Sequence, residues 1–138
     1  VALAVANLTC IAINGRGLLI EGPPGSGKST LALEMIDRGA VLVGDDGVTL
    51  DRRGERLWAA PPPHTAGKLE IRGVGIVDMP CDEAPVALVL SLTEIVPRLP
   101  ECGTVEWLGC SIPRLAFVAS YPASAIRAEH ALARFGLV

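Results

Sequence analysis

The chain has 138 residues, half of them hydrophobic and a fifth charged, and a formal net charge of −3. That is enough for one domain with a real core, too little for two ordinary ones, and too apolar for a disordered chain. No basic stripe offers an electrostatic footprint for nucleic acid, and no apolar run nears bilayer-spanning length, so a soluble cytoplasmic protein without nucleic-acid or membrane partners is expected.

The apolar start, Val1 to Ile13, lacks a basic n-region, and the alternation of Thr9, Ile11 and Ile13 suits a strand better than a signal peptide. Leu8 to Ile13 and Gly17 to Ile20 are apolar runs joined by Asn14-Gly15-Arg16, a strong hairpin signal. The second run leads into Gly22-Pro23-Pro24-Gly25-Ser26-Gly27-Lys28-Ser29-Thr30, which fits GxxxxGK(S/T), the P-loop. Glycines there let backbone N–H groups turn inward around phosphate oxygens. Lys28 supplies a point charge for the β- and γ-phosphates, and Ser29 a hydroxyl for Mg²⁺. Thr30 to Arg38 reads as a helix with Gly39 at C′, and its N-terminus adds partial positive charge. An ordinary Gly/Pro loop is the rival account, and the Lys-Ser pair with both flanks in place outweighs it. An antiparallel partner just before the P-loop strand is unlike a doubly wound fold.

Val41 to Gly44 forms a short apolar strand that delivers Asp45 and Asp46 at its carboxyl end, where open α/β sheets place ligand-binding residues. A polar turn would explain the pair alone; a P-loop with Mg²⁺ to hold favours function. Val48 to Leu50 and Arg56 to Ala59 predict a second hairpin across Asp51-Arg52-Arg53-Gly54, with Trp58 in the core or at its rim. Ala60 to Lys68 carries a proline run and reads as a loop, where His64 is either solvated or at the edge of the site. Leu69 to Val77 reads as an apolar strand interrupted by Glu70 and Arg72; they pair at a surface or serve the phosphate site, and spacing does not decide. Val86 to Leu92 is a central-strand run. Val105 to Leu108 and Leu115 to Val118 are further strands punctuated by Pro97, Pro100 and Pro113. Pro122 to Phe135 is a helix with Ala125, Ala128, Leu132 and Phe135 on one face. Cys10, Cys81, Cys102 and Cys110 have neither CxxC nor His-rich spacing, so reduced, mostly buried thiols are expected rather than disulfides or zinc.

Taken together these segments resemble the catalytic domain of HPr kinase/phosphorylase. The order of a leading strand, a strand into the P-loop, Arg38-Gly39 and then Asp45-Asp46 matches, and Leu69-Glu70-Ile71-Arg72-Gly73-Val74-Gly75-Ile76 is similar to that family's signature. The likeness is close over roughly the first eighty residues. It implies an α/β fold like that of PEP carboxykinase, a mixed β-sheet carrying the P-loop with helices mainly on one side. Residues 1–138 would be a single P-loop kinase catalytic domain, the short form without an N-terminal domain. The implied activity is ATP- and Mg²⁺-dependent phosphorylation of a serine on HPr, the phosphocarrier of the sugar phosphotransferase system, and its reversal with inorganic phosphate. The implied assembly is a homo-oligomer.

The resemblance assigns Gly22 to Thr30 to the nucleotide, with Lys28 on the phosphates and Ser29 and Glu70 as Mg²⁺ ligands. Asp46 would be the acid/base residue and Asp45 its neighbour in the site. Two positions depart from the family. Asn7 stands where the family carries a His, and Val118 to Ser124 lacks the family's active-site Arg, with Arg114 and Arg127 nearby but out of pattern. From Asn7 the forward reaction is expected to be favoured over dephosphorylation. A small-molecule kinase of the shikimate or gluconate type, a relative acting on another protein, and a regulatory nucleotide-binding module stay open as alternatives.

Overall fold

The structure is a computed structural model and describes residues 2–138. The first strands are β1 (Leu3–Ala6), β2 (Leu8–Ile13) and β3 (Arg16–Glu21). β2 and β3 pair antiparallel, with Asn14 (φ 50°) and Gly15 (φ 76°) between them. Positive φ at both turn residues matches the right-handed twist of the flanking strands, which is why Asn-Gly works here. Helix α1 (Lys28–Asp37) follows, starting inside the motif rather than at Thr30. It ends as the sequence predicts: Gly39 (φ 109°) donates to the Ile36 carbonyl and Ala40 to that of Met35, both at 3.0 Å. That pair of bonds is a Schellman cap.

Then come β4 (Val41–Gly44), β5 (Gly47–Arg53), β6 (Arg56–Ala60), β7 (Lys68–Ile71), β8 (Gly75–Asp78), β9 (Ala84–Leu92), β10 (Gly103–Trp107), β11 (Cys110–Phe117) and helix α2 (Ser124–Phe135). The main sheet runs β1-β5-β6-β9-β3-β2-β4, with β11 joined to β9 and β10 to β11. β3, β9 and β11 are parallel, while β2 is antiparallel to both β3 and β4. The carboxyl ends of β3, β4, β9 and β11 therefore lie along one edge of a mixed sheet.

Both helices cover one face. Leu31, Ala32 and Met35 of α1 and Ala125, Ala128 and Leu132 of α2 pack on Leu18, Ile20, Leu88 and Leu90. The apolar face of α2 thus lies on its own sheet. The sheet curls so that Val48, Leu50, Leu57 and Ala59 close over Leu8, Cys10, Leu19 and Val89 on the other face. β2, β3 and β9 are consequently buried on both sides and read as continuous apolar runs rather than alternations.

Two local expectations change. The Leu69 to Val77 stretch is not one strand. β7 and β8 form a separate two-stranded hairpin, because Gly73 (φ 81°) takes the left-handed backbone of a turn and Gly75 (φ 127°) opens the returning strand. Glu70 and Arg72 are exposed, so no burial cost arises. Pro113 lies inside β11 opposite Thr104, one residue before the β9 pairing begins at Arg114, so its missing N–H leaves that ladder intact. Of the cysteines, Cys10 and Cys110 are buried, Cys81 is half-buried and Cys102 is exposed. No helix among the described residues is long and apolar enough to cross a membrane.

Candidate active site

The P-loop connects β3 to α1. A Cβ on Gly22 would lie 2.7 Å from Ser26 Oγ and 3.0 Å from Leu92 Cβ, so only glycine lets the loop turn tightly against the end of β9. Gly25 (φ 79°) and Gly27 (φ 99°) hold the left-handed backbone that turns the loop around its centre. Gly27 caps α1 without a side-chain hydrogen bond, and the first helical bond is Leu31 N–H to the Gly27 carbonyl at 3.0 Å. The N–H groups of Lys28, Ser29 and Thr30 are left without helical partners, and these residues line a cleft of about 220 Å³. No acidic residue sits in the first turn to offset the positive end of the helix. Ser26 Oγ is buried without a hydrogen-bond partner among the described residues. Uncapped donors and an orphaned hydroxyl around one cleft are what phosphate oxygens need.

Lys28 Nζ donates to the carbonyls of Gly22 (2.7 Å) and Pro23 (3.3 Å), which hold the ammonium at the lip of the loop. Asp45 is the node of the site. Its Oδ1 accepts from the Ser29 hydroxyl at 2.7 Å and the Thr9 hydroxyl at 3.0 Å, and its Oδ2 from the Glu70 N–H at 3.1 Å. One carboxylate thus ties the P-loop helix to β2 and to the β7–β8 hairpin. Asp46 takes a left-handed conformation (φ 57°), and its carbonyl accepts the Asn7 N–H at 3.2 Å. Asp46, Glu70 and Arg72 complete the cleft wall.

The cleft therefore brings together Pro24 to Thr30, Asp45, Asp46 and Glu70. Gly22 and Pro23 lie beneath it and act through their carbonyls. His64 is exposed on its loop and is not part of the wall. Arg114 pairs with Glu21 at 2.8 Å, and Arg127 is spent on the carbonyls of Val118, Tyr121 and Pro122. One participant and one contact escaped sequence reasoning. Thr9, fully buried, is the lone hydroxyl in an otherwise apolar strand, and that was its signal. The bond from Ser29 to Asp45 had no local signal.

These residues fit Mg²⁺ and a nucleotide. Ser29 and Asp45 are adjacent hard oxygen donors, with Glu70 close by. Among the described residues no cluster of three or more His, Cys, Asp or Glu forms a metal cage. Mg²⁺ suits such an incomplete set, because it retains waters and takes phosphate oxygens alongside one or two carboxylates.

Comparison with known proteins agrees with this geometry. Residues 4–81 match the HPr serine kinase C-terminal domain family. The chain is 35% identical over 94 residues to the HPr kinase/phosphorylase of Mycoplasmopsis pulmonis, covering 68% of this chain and 27% of that protein. It is 38% identical over 118 residues to that of Streptococcus thermophilus, covering 75% and 38%. The chain thus spans well under half the length of these curated relatives. Among solved structures, the Hpr(Ser) kinase/phosphatase from Coxiella burnetii superposes with a TM-score of 0.84 at 28% identity, over 95% of this chain and 94% of that one. The curled mixed sheet with both helices on one face is accordingly an α/β P-loop fold of the PEP carboxykinase type.

Proposed function

The chain belongs to the HPr serine kinase C-terminal domain family, and we propose that it transfers the γ-phosphoryl group of ATP, with Mg²⁺, to a serine of the phosphocarrier protein HPr in the cytoplasm. The observation that carries this is Asp45, which locks the P-loop Ser29, β2 and the signature hairpin around one cleft. In this reading residues 1–138 are a kinase catalytic domain, and the domain works as a homo-oligomer.

Phosphoryl transfer asks a protein for positioning and charge neutralisation more than for covalent chemistry. The free N–H groups of Lys28, Ser29 and Thr30 hold phosphate oxygens, and the Lys28 ammonium leaves its loop carbonyls to offset charge on the transferred group. Bound Mg²⁺ supplies the remaining charge neutralisation. Ser29 and Glu70 hold it, and Asp45 fixes the Ser29 hydroxyl in place. Asp46 takes the proton from the substrate serine hydroxyl as that oxygen bonds the γ-phosphorus; the bond from that phosphorus to the β–γ bridging oxygen breaks, ADP leaves, and the proton ends on the Asp46 carboxylate. Among the described residues Arg72 is the one arginine in the cleft wall. That is little for a small-molecule kinase, which closes an arginine-rich lid over its phosphates, so a protein substrate is the better reading.

The test is incubation with ATP, Mg²⁺ and HPr followed by mass measurement, with Lys28→Ala alongside. A gain of one phosphate on HPr, lost in Lys28→Ala together with nucleotide affinity by calorimetry, supports the proposal. Nucleotide binding without transfer points to a regulatory module instead.

A further inference from the structure

The phosphate cleft is built on one side of the P-loop only. Thr9, Asp45, Asp46 and Glu70 all come from β2, the end of β4 and the β7–β8 hairpin. On the other side, alongside the last residues of β11, lies a second cavity of about 560 Å³ between residues 96–100, β11 and α2. Val118 lines this cavity, and the Cβ of the next residue, Ala119, would lie 3.6 Å from a Cβ on Gly27 of the cleft. The β11–α2 turn thus stands directly against the P-loop.

A nucleoside triphosphate is a chain with two ends. If the reacting end lies among Asp45, Asp46 and Glu70, as proposed above, the other end leaves past Gly27 on the β9–β11 side. We infer that the second cavity seats the nucleoside half of the nucleotide. Its walls suit a heteroaromatic base: Val96, Pro97, Phe117, Val118 and Tyr121 are apolar or aromatic, and the Tyr121 residue is 44% exposed. Its cationic lining is Arg98, Arg127 and Arg134, and among the described residues no carboxylate lines it, so nothing there repels the phosphate chain that leads in from the P-loop. Arg127 is already fixed in place. It donates to the carbonyls of Val118 (2.8 Å), Tyr121 (3.1 Å) and Pro122 (3.1 Å), with its guanidinium 4.7 Å from the centre of the Phe117 ring and 5.4 Å from that of Tyr121. A preset guanidinium beside an accessible aromatic ring is a stacking surface that costs little further ordering on binding.

The inference rests on the P-loop reading, and the experiment separates the two. Calorimetry gives the affinities of ATP and of inorganic triphosphate, each with Mg²⁺, for the wild type, Tyr121→Ala and Val96→Asp. The wild type should bind ATP at least about tenfold more tightly than triphosphate, the scale of one stacked base. Both variants should lose most of that preference and keep their triphosphate affinity. Equal binding of ATP and triphosphate by the wild type overturns the inference and leaves the P-loop reading standing. So does an unchanged preference in both variants, or a parallel loss of both ligands. Binding of neither ligand by the wild type overturns both.

Discussion

Asp45 and Asp46 are neighbours in sequence and opposites in environment. Asp45 accepts from Ser29, Thr9 and the Glu70 N–H, whereas the Asp46 carboxylate has no hydrogen-bond partner among the described residues and faces the cleft. A carboxylate already holding three donors serves as an anchor; an unpartnered one is free to reach a substrate hydroxyl. Asp46→Asn should therefore lower phosphoryl transfer by about 10²–10⁴-fold, the usual contribution of a general base, with ATP affinity retained. Asp45→Asn and Glu70→Ala should instead raise the Mg²⁺ concentration needed for half-maximal activity. A Mg²⁺ titration of each variant checks both assignments. Asn7 carries a different argument. It sits at the corner between β1 and β2 with φ 65°, its N–H bonded to the Asp46 carbonyl, and so borders Asp46. Asn and His both tolerate left-handed backbone, so Asn7→His changes the chemistry without straining the corner. An amide cannot carry a proton or a positive charge near neutral pH, as imidazole can. Dephosphorylation brings inorganic phosphate and phosphoserine, both anionic, into one pocket, and should suffer more from the amide than the forward reaction does. Phosphate-dependent dephosphorylation of phospho-HPr should rise in Asn7→His; equal rates in both directions would sink the argument.

The turn that presents the aspartates depends on Gly44, the last residue of β4. A Cβ there would collide with the Gly47 carbonyl oxygen and lie 3.0 Å from a methyl of Val48. Gly44→Ala must push β4 away from β5, at about 1–3 kcal/mol for overpacking of this kind, and must move Asp45 with it. Thermal unfolding should show the loss of stability, and transfer should fall in protein that remains folded. Gly47→Ala is the control, since its Cβ would meet only the Val5 carbonyl oxygen at 3.6 Å. Elements such as β2, β3, β9, α1 and α2 could be read from the sequence because their signals are local: an Asn-Gly turn, an apolar run, a glycine stop. The β7–β8 hairpin could not, because Glu70 to Ile76 looks the same as one strand until the φ of Gly73 and Gly75 is known. The site was half readable for the same reason. GxxxxGK(S/T) and Asp45-Asp46 are contiguous, but the three donors to Asp45 lie 16, 25 and 36 residues away in sequence on three different elements. No spacing rule brings those together; the sheet order does.

Across the whole molecule, the helical layer must stay seated on the sheet for the edge that carries the cleft to keep its shape. α2 is tied down at its end, where Arg16 of β3 donates to the carbonyls of Leu132 and Leu137, and Leu137 N–H bonds the Ala87 carbonyl at the irregularity between β3 and β9. It is tied at its start by Ser124 Oγ to Glu34 of α1 at 3.0 Å. Between these, Arg38 at the end of α1 grips Glu129 of α2 with two bonds, at 2.9 and 3.0 Å. Hydrogen bonding from Arg38 and then its charge hold the Glu129 carboxyl below the usual carboxylate range, against partial desolvation. A depressed acid contributes stability above its unfolded pKa, about 4.3 for Glu, and that contribution disappears as pH falls through the folded value. Both side chains are partly exposed, at 45% and 28%, so solvent screening limits the pair to about 0.2–1 kcal/mol. Glu129→Gln should lower unfolding free energy by that amount at pH 7, as read from urea titrations. The gap to wild type should narrow as the pH drops below the carboxylate range, and should shrink in 1 M salt, where the Debye length falls to about 3 Å. A gap that persists unchanged in acid and in high salt would mean that Glu129 holds the two helices together by packing rather than by charge.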